Sequence, residues 1–109
     1  MPIANCIVSA SCQFGSEDLC ESWGRESGVG ATEMTVNVVV ADRQYGKPYP
    51  VMATLYLPTA WSPSALSSLQ LGLVRALARH FGVPLDGVHV ITCPVASGHV
   101  VEAGAEQTW

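Results

Sequence analysis

The stretch Val51–Val95, VMATLYLPTAWSPSALSSLQLGLVRALARHFGVPLDGVHVITCPV, decides the fold. Its opening, VMATLYL, is apolar with β-branched and aromatic residues, and reads as a strand running to Pro58. Ser62 offers a hydroxyl to cap a helix, and Pro63 takes the first helical position, where a missing N–H costs nothing. Leu66, Leu69, Leu73, Leu77 and Phe81 then recur at helical spacing and make one apolar stripe. Gly82 and Pro84 stop the helix, and VHVITCPV follows as a second strand. A strand, a helix and a strand joined by short connections form a crossover unit with parallel strands.

The first half of the chain repeats this grammar. PIANCIVS reads as a strand starting at Pro2. Ser16 is the expected N-cap of a short helix, with Glu17 and Asp18 in its first turn, where the helix dipole favours acids. Leu19, Cys20 and Trp23 share one helical face, and Gly28 ends the helix. MTVNVVVAD is the next strand, and DRQYGKPYP, with its glycine and two prolines, is the loop that joins the halves. The expectation is one domain over residues 1–109, built from repeats at about 2–46 and 50–104. Its class is α+β: two βαβ repeats forming a four-stranded mixed sheet with two helices on one face. VNVVV and ATLYL are apolar at both parities, so the second face of the sheet also needs cover. Val36, Val38 and Val40 point one way, Val39 and Ala41 the other. The chain holds no third layer, which makes another subunit the natural cover.

Composition points the same way. Charged residues are 13% of the chain, against about 25% in ordinary domains, while apolar residues are 49%. A surface so poor in charge favours an oligomer, whose interfaces absorb apolar area. The net charge is −4 and the five cations are scattered, so no basic footprint for nucleic acid exists. No run reaches the length of a membrane span, and MPIANCIVS lacks the layout of a signal peptide. A cytoplasmic protein is expected. Cys6, Cys12, Cys20 and Cys93 have no metal-ligand spacing and read as reduced thiols; neither a metal nor a cofactor is expected.

A chain that begins Met-Pro, continues into a short strand and holds two βαβ units resembles the tautomerase superfamily. FGVPLDGVHVITCPVASGHVVEAG is similar to the end of 4-oxalocrotonate tautomerase subunits, with Gly98 and His99 at the family's Gly-His pair. SGHVVEAG also resembles the matching part of cis-3-chloroacrylic acid dehalogenase, whose catalytic glutamate falls at Glu102. The length resembles macrophage migration inhibitory factor and other two-unit members. The resemblance implies a homotrimer acting on a small-molecule substrate, with Pro2 as the catalytic base once Met1 is removed. The chemistry is coherent. A free α-amino group titrates near 8, and apolar surroundings such as Ile3, Ala4 and Ile7 lower that value. A neutral secondary amine can take a proton from carbon beside a carbonyl and return it elsewhere. Pro2 carries no basic nitrogen while Met1 remains attached.

The family's carboxylate-binding residues are replaced. Its arginines fall at Pro58, at Trp61, at Gly15 and at positions matching Asn37 and His89; the dehalogenase tyrosine falls at Ile91, and a family lysine near Val29. Dehalogenation is therefore disfavoured. The expected substrate-binding residues are Asn37 and His89, as hydrogen-bond donors in matching places of the two repeats, and Trp61, as an apolar wall. Glu102 is the candidate second acid or base. Arg43, Tyr45 and Lys47 on the joining loop read as solvated, and the tail ending in Trp109 as a trimer cap or a loose end. Three functions stand open: a tautomerase-type isomerase, a Pro2-dependent hydratase or lyase in which Glu102 activates water, and a non-catalytic binding trimer.

Overall fold

The computed structural model describes residues 1–109. Four strands, β1 (Ile3–Ser9), β2 (Thr35–Ala41), β3 (Val51–Pro58) and β4 (Val88–Val95), form one sheet in the order β2-β1-β3-β4. β1 runs parallel to β2 and β3 parallel to β4, while β1 and β3 are antiparallel in the centre. Helices α1 (Leu19–Ser27) and α2 (Pro63–Phe81) are the two crossovers. The expected mixed sheet with two helices is the observed architecture. No helix is long and apolar enough to cross a membrane.

The core lies between the sheet and the helices. Ala4, Cys6 and Val8 of β1 and Val51, Leu55 and Leu57 of β3 meet Trp23 of α1 and Leu69, Leu73, Leu77 and Phe81 of α2. The alternation of buried and exposed residues along β1 and β3 is the period-2 pattern of a sheet covered on one side. Trp23 donates its indole N–H to the Leu69 carbonyl at 2.9 Å, so the largest core side chain also satisfies its polar atom. Arg75 and Arg79 both reach the Glu26 carboxylate, at 3.2 and 3.0 Å, and tie the exposed sides of the helices together.

Helix ends follow their local chemistry, with one correction. α2 starts at the Ser62 hydroxyl, which accepts from the Ala65 N–H at 3.1 Å, and ends at Gly82 in the left-handed region. α1 starts later than the sequence suggests. Its cap is Asp18, whose carboxylate accepts from the Cys20 and Glu21 N–H groups at 2.8 and 3.2 Å, and not Ser16. A carboxylate offers a charged acceptor to the positive helix end, and Glu17, one step before it, is left to pair with Arg25. That hydrogen-bonded pair holds the Glu17 carboxyl below its ordinary range.

Two further strands, β5 (Val100–Glu102) and β6 (Ala105–Gln107), form a hairpin after β4 that the sequence reading omits. Its two-residue turn, Ala103-Gly104, has φ of 54° and 78°, the paired positive angles of a tight hairpin turn. Pro94 is tolerated inside β4 because β4 is an edge strand.

Two stability outcomes follow from this packing. A Cβ on Gly72 would sit 2.8 Å from the Ser27 backbone, so α1 and α2 approach main chain to main chain there. Gly72→Ala is expected to lose about 1–3 kcal/mol in urea unfolding, although alanine in an open helix position gains about 1 kcal/mol. Burial pushes the Cys6 thiol from about 9 up to about 11. The unfolded chain therefore releases this proton first, and stability intact below pH 9 falls between pH 9 and 11 by about 2–3 kcal/mol. Unfolding of Cys6→Ala at pH 7 and pH 11 should show a smaller decline than the parent.

Candidate functional site

Pro2 stands immediately before β1, at the head of a central strand. Its side chain is fully buried, and its carbonyl accepts from the Thr35 N–H at 3.0 Å. The β1–β3 register, in which Ile3 faces Tyr56, carries on to set Pro2 beside Leu57, near the end of β3. The turn that leaves β3 therefore belongs to the same end of the sheet. That turn holds Trp61, half-buried against the core, with its N–H donating to the Pro58 carbonyl at 3.3 Å. Pro58 is paired with Val95 at the end of β4, and the Thr59 N–H donates to the Val95 carbonyl at 3.0 Å. The β5–β6 hairpin departs from this point.

Glu102 lies on that hairpin, exposed, just before its turn. Its carboxylate forms no ion pair within the chain. The tail is not loose. Trp109 donates its indole N–H to the Thr59 hydroxyl at 3.0 Å and its backbone N–H to the Ser97 hydroxyl at 2.9 Å. The fold thus gathers Pro2, Trp61, Trp109 and the hairpin carrying Glu102 at one end of the sheet. The hairpin escapes a sequence reading because short strands give little periodicity; the one local signal is the glycine-containing pair Ala103-Gly104 between VVE and AEQ.

Asn37 and His89 are elsewhere. Both point to the sheet face that no helix covers, and they sit on the two edge strands. Three strand spacings, about 14 Å, separate those strands. Asn37 faces Asn5 and donates its Nδ2–H to the Asn5 Oδ1 at 2.8 Å. His89 faces Met52, in the neighbouring row, near the end of the sheet opposite Pro2. Its ring rests on Tyr49 with centroids 4.6 Å apart, and its Nδ1 is buried without a hydrogen-bond partner. A single chain therefore does not bring Asn37 and His89 together, nor His89 to Pro2.

The uncovered face is apolar for its position. Ile7, Val39, Ile91 and Tyr56 are 48%, 61%, 52% and 37% exposed, and all four point outward. The Asn37–Asn5 pair and Thr54 form one polar row among them. The chain's cations do not serve the Pro2 end. Arg25, Arg75 and Arg79 are held by Glu17 and Glu26 on the helices, while Arg43 and Lys47 lie on the loop at the other end of the sheet.

No protein-family profile matches the chain, and no curated protein sequence matches it. Solved structures do. A wild-type fused 4-OT asymmetric trimer superposes with a TM-score of 0.74 at 15% identity, covering 95% of this chain and 94% of that one. A macrophage migration inhibitory factor from Oncomelania hupensis gives 0.70 at 17% identity, covering 98% and 83%. N1, a member of the cis-3-chloroacrylic acid dehalogenase family, gives 0.71 at 13% identity, covering 96% and 82%. The likeness is one of fold over nearly the whole chain, and the fold is that of tautomerase-superfamily structures.

Proposed function

We propose that the chain is a tautomerase-type isomerase that works as a homotrimer, with Pro2 as general base after Met1 is removed. The observation that carries this reading is the position of Pro2: fully buried, at the head of a central strand, in a fold shared with 4-OT. Once Met1 is gone, the nitrogen there is a secondary amine held among apolar groups. Desolvation favours its neutral form, and a neutral amine near pH 7 is the base that carbonyl–enol interconversion needs. The pyrrolidine ring fixes the direction of the lone pair, which spares the entropy of orienting it.

The substrate proposed is a small enolisable carbonyl compound with little negative charge. All three helical arginines are engaged by acids, and Trp61 stands where the family places an arginine. Trp61 would form an apolar wall, and Asn37 and His89 on the outer sheet face would act across a subunit boundary rather than within one chain. Glu102, whose carboxylate is unpaired, supports a second reading in which it activates water for hydration or lyase chemistry. The exposed outer face and the trimeric fused 4-OT of the same fold support the trimer.

Met1-free protein should ketonise phenylenolpyruvate, and Pro2→Ala should lower kcat/KM by about a hundredfold or more. Equal rates remove the base; an intact mass that retains Met1 in the working protein removes the mechanism. If Glu102 serves only to activate water, Glu102→Gln should leave this ketonisation within about a factor of three, whereas a role as second acid or base predicts a larger loss. In sedimentation velocity the chain should run as a trimer, and Ile91→Glu, which puts a charge into the outer face, should shift it to monomer. A monomeric parent would overturn the assembly without touching the assignment of the base.

A further inference from the structure

The principal cavity of the chain, about 480 Å³, lies at the end of the sheet opposite Pro2. It sits between the ends of β1 and β2 and the joining loop, with Ser9, Ser11, Arg43 and Tyr49 among its lining. The length of β1, roughly 23 Å, separates it from the Pro2 end. We infer that this cup is a second binding site, for a small organic monocarboxylate.

Three observations carry the inference. The volume falls in the range of small-molecule sites, roughly 300–1,000 Å³, and Ile7, Ala41, Pro48 and Pro50 give it an apolar wall. The wall is built rather than slack. Gln44 accepts from the Tyr49 N–H at 2.7 Å and donates to the Tyr49 carbonyl at 3.3 Å, clamping the loop across five residues. Third, unpaired lysine and arginine side chains lie only here. The other three cations are neutralised by carboxylates, and the two that have no acid partner, Arg43 and Lys47, both lie on this loop. Arg43 lines the cavity, and Lys47 stands 5.5 Å over the ring of Tyr49.

The chemistry of the lining chooses among anions. A guanidinium presents two parallel donors to a carboxylate, and the Ser9–Ser11 hydroxyl pair, hydrogen-bonded to each other at 2.9 Å, leaves one hydroxyl proton free on the strand side. Asp42 also lines the cup and forms no ion pair. Its carboxylate repels a second negative charge, which disfavours phosphate dianions and diacids. A single carboxylate on a flat apolar body matches the guanidinium, the free hydroxyl proton and the apolar wall. The site stands apart from the reading of Pro2 and does not depend on it.

The test is an NMR titration of the full chain with benzoate at millimolar concentration. Saturable shifts are expected at the amides of Ser9, Ser11, Asp42, Arg43 and Tyr49, unchanged in Pro2→Ala. Arg43→Gln, at an exposed position where folding is not at stake, should weaken binding by about tenfold or more. Ser11→Ala should weaken it by a smaller factor. Absence of shifts at these amides overturns the site. Equal affinity for benzyl alcohol, or for benzoate after Arg43→Gln, overturns the role of the cation. Inorganic phosphate binding more tightly than benzoate overturns the monocarboxylate. Shifts at the Ile3 and Trp61 amides in place of the cup assign the ligand to the other end of the sheet and overturn the site.

Discussion

The structure rests on one constraint: a four-stranded sheet whose strands are apolar on both faces, with only enough chain for helices on one. Alternation along β1 and β3 sends Ala4, Cys6, Val8, Val51, Leu55 and Leu57 into the helical layer. The same alternation, with no freedom left, sends Ile7, Val39, Tyr56 and Ile91 outward. A strand cannot satisfy one face without committing the other. The helical side closes as a dry core fastened by Trp23 on Leu69 and by Glu26 between two arginines. The open side leaves the polar row of Asn37, Asn5 and Thr54 among exposed apolar groups, and the His89 Nδ1 without a partner. An association through that face gives the apolar rows their cover and is the physical root of the proposed trimer.

Sheet geometry also separates the chemistry. A central strand of seven residues has its head at Pro2 and its foot at Ser9, and each end gathers a different set of side chains. The head is aromatic and carries no lysine or arginine, with Trp61 and Trp109 disposed about the Thr59 turn and the acidic Glu102 beyond it. The foot carries the unneutralised cations and the clamped loop. Of the remaining cations, Arg75 and Arg79 join the two helices through Glu26, and Arg25 pairs with Glu17 at the start of α1. The neutrality that the proposed reaction requires of the Pro2 nitrogen is therefore left to apolar burial, with the unpaired cations at the far end of the sheet.

Much of the fold is legible before any coordinates. Ser62, Pro63 and Gly82 mark α2 because each solves a problem internal to a helix end. VHVITCPV and VMATLYL mark strands by the side chains they carry. The α1 cap was misplaced because Ser16 and Asp18 are both good caps, and only the path of the chain toward His80, where the Gly15 N–H is bound at 2.8 Å, selects between them. The hairpin was missed because three-residue strands carry too little pattern. The joining loop was read as solvated because a run of polar and proline residues does not announce that Gln44 closes it over a cavity.

By itself the sequence determined the elements, their order, the parallel pairing within each repeat and the excess of apolar surface, since those follow from local stereochemistry and from counting side chains. Pro2 as a candidate came from the resemblance of the Met-Pro start and the two βαβ units to a known family. Tertiary structure decided the neighbours. It put Trp61 and Trp109 with Pro2, set Asn37 and His89 on opposite edges of the uncovered face, and left two cations unpaired at the far end. Those outcomes depend on the antiparallel register of β1 with β3, a contact between residues some fifty positions apart that no local pattern encodes.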